Sequence, residues 1–167
     1  MLRFIKSAAV CYIALFFTLV ALNNITDYNS DYQFVVHVLK MDTTFQSPNL
    51  MWRSLHSTWY HNAAYIFIIF VEALSAVILW IAGINLFRHI RSPQYFIKYK
   101  KLASFGLFIG FSLYFVGFIT IGGEWFAMWQ SSVWNGQAAA GLFASMIMFV
   151  LLFINQMDDI QDTIKTP

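Results

Sequence analysis

NAAYIFIIFVEALSAVILWIAGINLF, residues 62–87, holds one charged side chain, Glu72, and no proline. A helix crossing the ~30 Å hydrocarbon core needs about 20 predominantly apolar residues. This run exceeds that length and shows no alternation, so a buried helix is expected and a strand is not. Working outward, three further runs pass the same test: 7–25, 102–122 and 136–154. The expected architecture is an all-α, four-helix membrane bundle forming a single domain over 1–167, with a long loop over 26–61. Arg3 and Lys6 before the first run look like the charged start of a signal peptide. Its apolar core is longer than an h-region of about 7–15 residues and no small-x-small cleavage site follows, so an uncleaved anchor is expected.

Composition agrees. Of 167 residues, 59% are hydrophobic and 11% charged, against roughly 45–50% and about 25% in soluble domains. A net charge of +2 without a long basic run gives no footprint for nucleic acid. Cys11 is the one cysteine, so no disulfide can close within the chain. Eight of the ten Lys and Arg residues fall on one side of the four spans: Arg3, Lys6, Arg88, Arg91, Lys98, Lys100, Lys101 and Lys165. Lys40 and Arg53 fall on the other. By the positive-inside rule both termini are expected in the cytoplasm, with 26–61 and the short loop from Glu124 to Asn135 facing outward.

The outer loop has structure of its own. Asp31 is placed to cap a helix over 32–40, and Ser47-Pro48 reads as an N-cap and first helical residue opening a second helix through 50–55. Both are short, amphipathic and bordered by aromatics, and are expected to lie on the membrane surface or to fold over the bundle. Within the spans, small residues mark where helices meet. Ser7, Cys11, Ala14, Thr18 and Ala21 form one seam. Gly106 and Gly110 form a second that Gly117 is expected to continue, and Ala138 to Gly141 with Ala144 and Ser145 form a third.

Glu72 is the residue with the most chemical content. A charge near the bilayer midplane costs roughly 2.5–3.5 kcal/mol on insertion scales, so such a group faces the bundle interior, paired or protonated. It reads either as a neutral hydrogen-bonded Glu holding two helices together or as a ligand or proton site. Glu124 is expected on the Gly106–Gly110–Gly117 face at the outer end, within reach of Arg53 or His61. Trp125, Trp129 and Trp134 gather with Gln130 at the same boundary. They read as an aromatic belt or as a cap that holds a ligand or partner. His37, His56, His61 and His89 lie outside the deep part of any span, and HExxH and HxH patterns are missing. No metal, haem or other cofactor is therefore assigned. Nucleophile–base pairs, phosphate loops and dinucleotide fingerprints are also missing, which points away from an enzyme.

Four stretches together carry a resemblance: NNITDY at 23–28, HVLKMDTTF at 37–45, GGEWFAMWQ at 122–130 and WNGQ at 134–137. They resemble a bacterial family of predicted small integral membrane proteins classed as a domain of unknown function. The resemblance implies an inner (cytoplasmic) membrane and a four-span plan, and it carries no catalytic role. The leading expectation is a non-enzymatic binding or accessory subunit that recognises a larger membrane or periplasmic protein through its outer face. Glu72, Glu124, Trp125, Trp129, Gln130, Trp134, Arg53 and His61 are the candidate contacts. The alternative is a small-molecule carrier or proton-coupled pathway centred on Glu72. A lipid- or quinone-linked enzyme is the weaker alternative, because four-span thiol oxidases need paired cysteines. The small-residue seams also leave room for a homo-oligomer.

Overall fold

The structure is a computed structural model that describes residues 1–158. Lys165, one of the eight cations used for orientation, lies outside the described residues. Among the described residues the regular elements are all helical: α1 (Leu2–Thr26), α2 (Tyr28–Lys40), α3 (Thr58–Arg88), α4 (Pro93–Ser112), a π-helical segment (Leu113–Trp125) and α5 (Gln137–Asn155). Single 3₁₀ turns lie at Met51–Arg53 and Met128–Gln130, and among the described residues there is no strand. Among the described residues, four helical stretches are long and apolar enough to cross a membrane: α1, α3, α4 with its π segment, and α5. At 1.5 Å per residue the 19 residues of α5 span about 28 Å, close to one hydrocarbon core.

The spans run up and down. The start of α1, the end of α3, the start of α4 and the end of α5 meet at one end of the bundle. Arg3 Nη1 donates to the carbonyl of Ile90 at 2.9 Å, and the rings of Phe4 and Phe87 meet edge-on at 5.3 Å. Lys6, wholly buried in the second turn of α1, donates to the Gln156 carbonyl and to Asp158 Oδ1 at 2.7 Å. Lys100 of α4 reaches the same carboxylate at 3.2 Å. One acid thus ties three helices together.

The seam on α1 is the α1–α3 interface. Ser7 and Ala14 are fully buried, and Thr18 accepts the Trp80 indole N–H at 2.9 Å. A Cβ at Gly83 would come within 2.5 Å of Cys11 Sγ, so the helices cross where α3 carries no side chain. On α5 the buried stripe is Ala140, Ala144, Ile147 and Ile154, while Ala138 and Ala139 lie off it.

Three local expectations are corrected. The first outer helix begins at Tyr28, placing Asp31 in its first turn without a side-chain cap bond. Ser47-Pro48 opens only a turn, in which the Ser47 carbonyl accepts the Leu50 and Met51 amides, and the single 3₁₀ turn Met51–Arg53 follows. The third correction concerns the face shared by Gly106, Gly110 and Gly117. A Cβ at Gly110 would land on the Phe17 ring of α1, whereas one at Gly117 would meet only Leu113 of its own segment, at 3.7 Å.

The cause is the change of helix type. Ser112 Oγ still donates to the carbonyl four residues back, Phe108, at 2.8 Å. Thr120 Oγ1 reaches five back, to Phe115, at 3.0 Å, and the Phe126 amide bonds Ile121 at 3.0 Å. Five-residue hydrogen bonds widen each turn and rotate every later residue off the 3.6-residue register. From Leu113 the crossing leaves α3 and packs on α5 instead.

Candidate functional site

Glu72 lies mid-way along α3, 2% exposed. Its Oε2 accepts the side-chain amide of Asn24 at 2.7 Å. Asn24 sits in the last turn of α1, where backbone carbonyls lack intrahelical partners. Its carbonyl accepts the hydroxyl of Tyr65, seven residues before Glu72 on α3, at 3.2 Å. Phenol, helix end and midplane acid thereby form one chain: Tyr65 to Asn24 to Glu72. Rings of Tyr28 and Tyr32 on α2 pack on Tyr65 at 4.6 Å and 6.0 Å, and the Tyr28 hydroxyl donates to Asn62 Oδ1 at 3.2 Å. Burial and the neighbouring Tyr32 hold the Tyr28 phenol above its usual range, so it remains a donor.

Beside this chain is a cavity of about 230 Å³ between α1, α2, α3, the π segment and α5. Glu72, Asn24, Asp31, Tyr65 and Tyr114 supply its polar atoms, with Phe34, Phe118 and Phe143 among its apolar walls. None of its lining residues is basic. Among the described residues, neither Glu72 Oε1 nor the Tyr114 hydroxyl has a hydrogen-bond partner. A second cavity of about 210 Å³ shares Phe34, Val35, Ile68 and Phe118 with the first. Its lining is apolar side chains and glycine throughout, and it occupies the gap where the π segment stands off α3 under the lid of α2.

The outer cap is a separate small core. Val38, Met41, Phe126, Ala127 and Met128 are buried together, with Trp134 packed against them. Met41 and Ala127 take left-handed backbone, φ 55° and 52°, where each chain turns into the cap. Ser131 Oγ accepts the Thr43 hydroxyl at 2.8 Å, and Gln130 Oε1 accepts the Phe45 amide at 3.0 Å. Trp134 stacks on His37 at 4.7 Å, which in turn pairs with Asp42 at 2.8 Å.

The sequence-derived candidates therefore divide. Gln130 and Trp134 lock the two outer loops together. His61 is buried and its Nε2–H donates to the Leu55 carbonyl at 2.8 Å, which fixes the start of α3. Arg53 lies over the Trp125 ring at 4.6 Å and donates to its carbonyl at 3.3 Å. Glu124 is exposed and meets Gln137 Nε2 at 3.4 Å rather than Arg53 or His61, because the π segment has turned it off the glycine face. Trp125 and Trp129 are half-exposed at the outer rim. Glu124 lines neither cavity; the second acid at the Glu72 chamber is Asp31. Residue pattern alone does not single out Asn24, Asp31 or Tyr114 as site residues. The available signal for Tyr114 is its standing as the one tyrosine in run 102–122.

A family model described as predicted small integral membrane protein (DUF2165) matches residues 2–157. The chain belongs to this family. With the four apolar crossings, membership makes it an integral membrane protein of a family without an assigned activity. Neither curated proteins nor solved structures yield a match.

Proposed function

We propose that the protein binds a small molecule within the bilayer, in the chamber around Glu72, and performs no chemistry on it. The supporting observation is that Glu72 and Tyr114, an acid and a phenol that are almost wholly buried, both line a cavity, and that Glu72 Oε1 and the Tyr114 hydroxyl have no hydrogen-bond partner among the described residues. Buried polar groups are overwhelmingly hydrogen-bonded, so an unfilled pair beside a cavity marks a place for a ligand or ordered water. The seat is the bacterial inner membrane with both termini cytoplasmic. Support comes from the bias of Lys and Arg toward the end where α1 starts and α5 finishes. Labelling with a membrane-impermeant maleimide tests this. Ser132→Cys should react in cells with a permeabilised outer membrane and Gln94→Cys only after lysis; the reverse pattern overturns the orientation.

Native mass spectrometry on gently extracted protein tests the site. The expected result is a small-molecule increment on the wild type that is lost from Glu72→Gln at unchanged melting temperature. An increment retained by Glu72→Gln overturns the assignment.

A second reading makes the chain an accessory subunit whose outer face recognises a larger membrane or periplasmic protein. It is favoured by Trp52, Trp125 and Trp129, which are 69%, 46% and 49% exposed on an otherwise interlocked cap. Photo-cross-linking from Trp129 or Trp52 should then trap one specific polypeptide, or a second copy of this chain. Recovery of lipid and unrelated background proteins alone counts against it.

A further inference from the structure

We propose that the two cavities together form the site of a single-chain amphiphilic ammonium, with its head in the Glu72 chamber and its tail in the apolar groove. This rests on the reading of the Glu72 chamber as a ligand site and names the ligand's chemistry.

Charge selects the head. Glu72 and Asp31 both line the chamber, and no basic residue does. A carboxylate or phosphate head would add negative charge beside the buried Glu72, with the exposed Asp31 at the rim of the same chamber. An alkylammonium has only donors to offer, and the groups without partners, Glu72 Oε1 and the Tyr114 oxygen, both accept. Aromatic faces complete the match. Tyr65, Tyr114, Phe118 and Phe143 wall the chamber, and a cation is attracted to the faces of such rings.

The groove selects the tail. Every residue lining it is apolar or glycine, and it lies beside the chamber, with Phe34, Val35, Ile68 and Phe118 lining both. Two of its residues, Phe67 and Ile121, are 61% and 46% exposed on membrane-spanning segments, so the groove borders on lipid. Entry from the bilayer is therefore lateral. At about 30 Å³ for each water-sized group, a 210 Å³ groove takes roughly seven, which suits the first part of one hydrocarbon chain, whose remainder runs out past Phe67 and Ile121 into lipid. Each cavity alone is small for a ligand, and together they reach the ~300–1,000 Å³ of small-molecule sites.

The test uses the full chain in phosphatidylcholine nanodiscs and tritiated dodecylammonium read by scintillation proximity, with empty discs subtracted for partitioning. Saturable binding of one probe per chain is expected. Dodecanol and dodecanoate should compete at least tenfold more weakly than unlabelled dodecylammonium. Glu72→Gln should weaken dodecylammonium at least tenfold. Gly117→Leu, at a position whose added Cβ would meet only Leu113 at 3.7 Å, should fill the groove. It should reduce dodecylammonium to the affinity of butylammonium and leave butylammonium itself unchanged. Melting temperatures of both variants are measured alongside. Tighter binding of dodecanoate or dodecanol that still depends on Glu72 overturns the ammonium and keeps the ligand site. Absence of saturable binding for all three probes, with no small-molecule mass on the extracted wild type, overturns both.

Discussion

From Pro93 to Ser112 the third crossing packs so closely on its neighbours that Gly106 and Gly110 have Leu79 and Phe17 where a side chain would be. From Leu113 to Trp125 the same crossing leaves α3, and Gly117 and Gly122 face a cavity instead of a helix. Lys98, Lys100 and Lys101 fall only in the first half, but beyond them both halves are apolar and carry Phe, Ile and Gly. What differs is the hydrogen-bond step. Four-residue bonds keep the glycine face on one line toward the bundle, and five-residue bonds turn it away. π-Helical turns recur at functional sites, and here the turn opens the apolar groove that lies next to the Glu72 chamber. The end that holds Lys6 and Asp158 is filled and charge-paired, while both cavities lie along the π segment.

Breaking the filled end should cost the most. Asp158→Ala leaves the fully buried Lys6 ammonium with backbone carbonyls alone. Removing one partner of a buried ion pair costs about 3–5 kcal/mol, so a large drop in unfolding stability in detergent is expected. An unchanged melting curve would show that the latch contributes nothing.

The glycines sharpen the contrast at a lower level. Gly110→Ala should destabilise by about 1–3 kcal/mol through overpacking against Phe17. Gly117→Ala, with open space ahead of it, should stay within about 0.5 kcal/mol of wild type. Equal effects at the two positions would mean that the third crossing keeps one register and the cavity is closed.

The smallest effect belongs to the outer rim. Arg53→Ala removes a cation over the Trp125 ring and should cost about 0.5–1 kcal/mol. Its melting curve should nearly overlie that of wild type. A loss comparable to that of Asp158→Ala would make the rim part of the fold's core.

Much of this architecture is legible from residue pattern. Span number, the seam from Ser7 to Ala21 and the burial of Glu72 all follow from one rule: lipid admits apolar runs and drives polar groups inward. The candidate site is legible only in part. Glu72 announces itself as the lone acid of its span, whereas Asn24 looks like a helix-ending residue and Asp31 like a cap. Their approach to Glu72 depends on where α1 stops and how α2 folds back, which are contacts between residues far apart in the chain. Residue counting misplaces Glu124 for a related reason. Treating the eighteen residues from Gly106 as five turns presumes an α-helix to the end of the run.

By itself, then, the sequence determined how many times the chain crosses and that one acid is buried among the crossings, because hydropathy is a sum over neighbouring residues and needs no partner. Only the tertiary structure decided that the acid borders a cavity, which polar groups share it and which glycines touch another helix. Those depend on helix register, and a switch from four-residue to five-residue hydrogen bonding changes register without changing hydropathy.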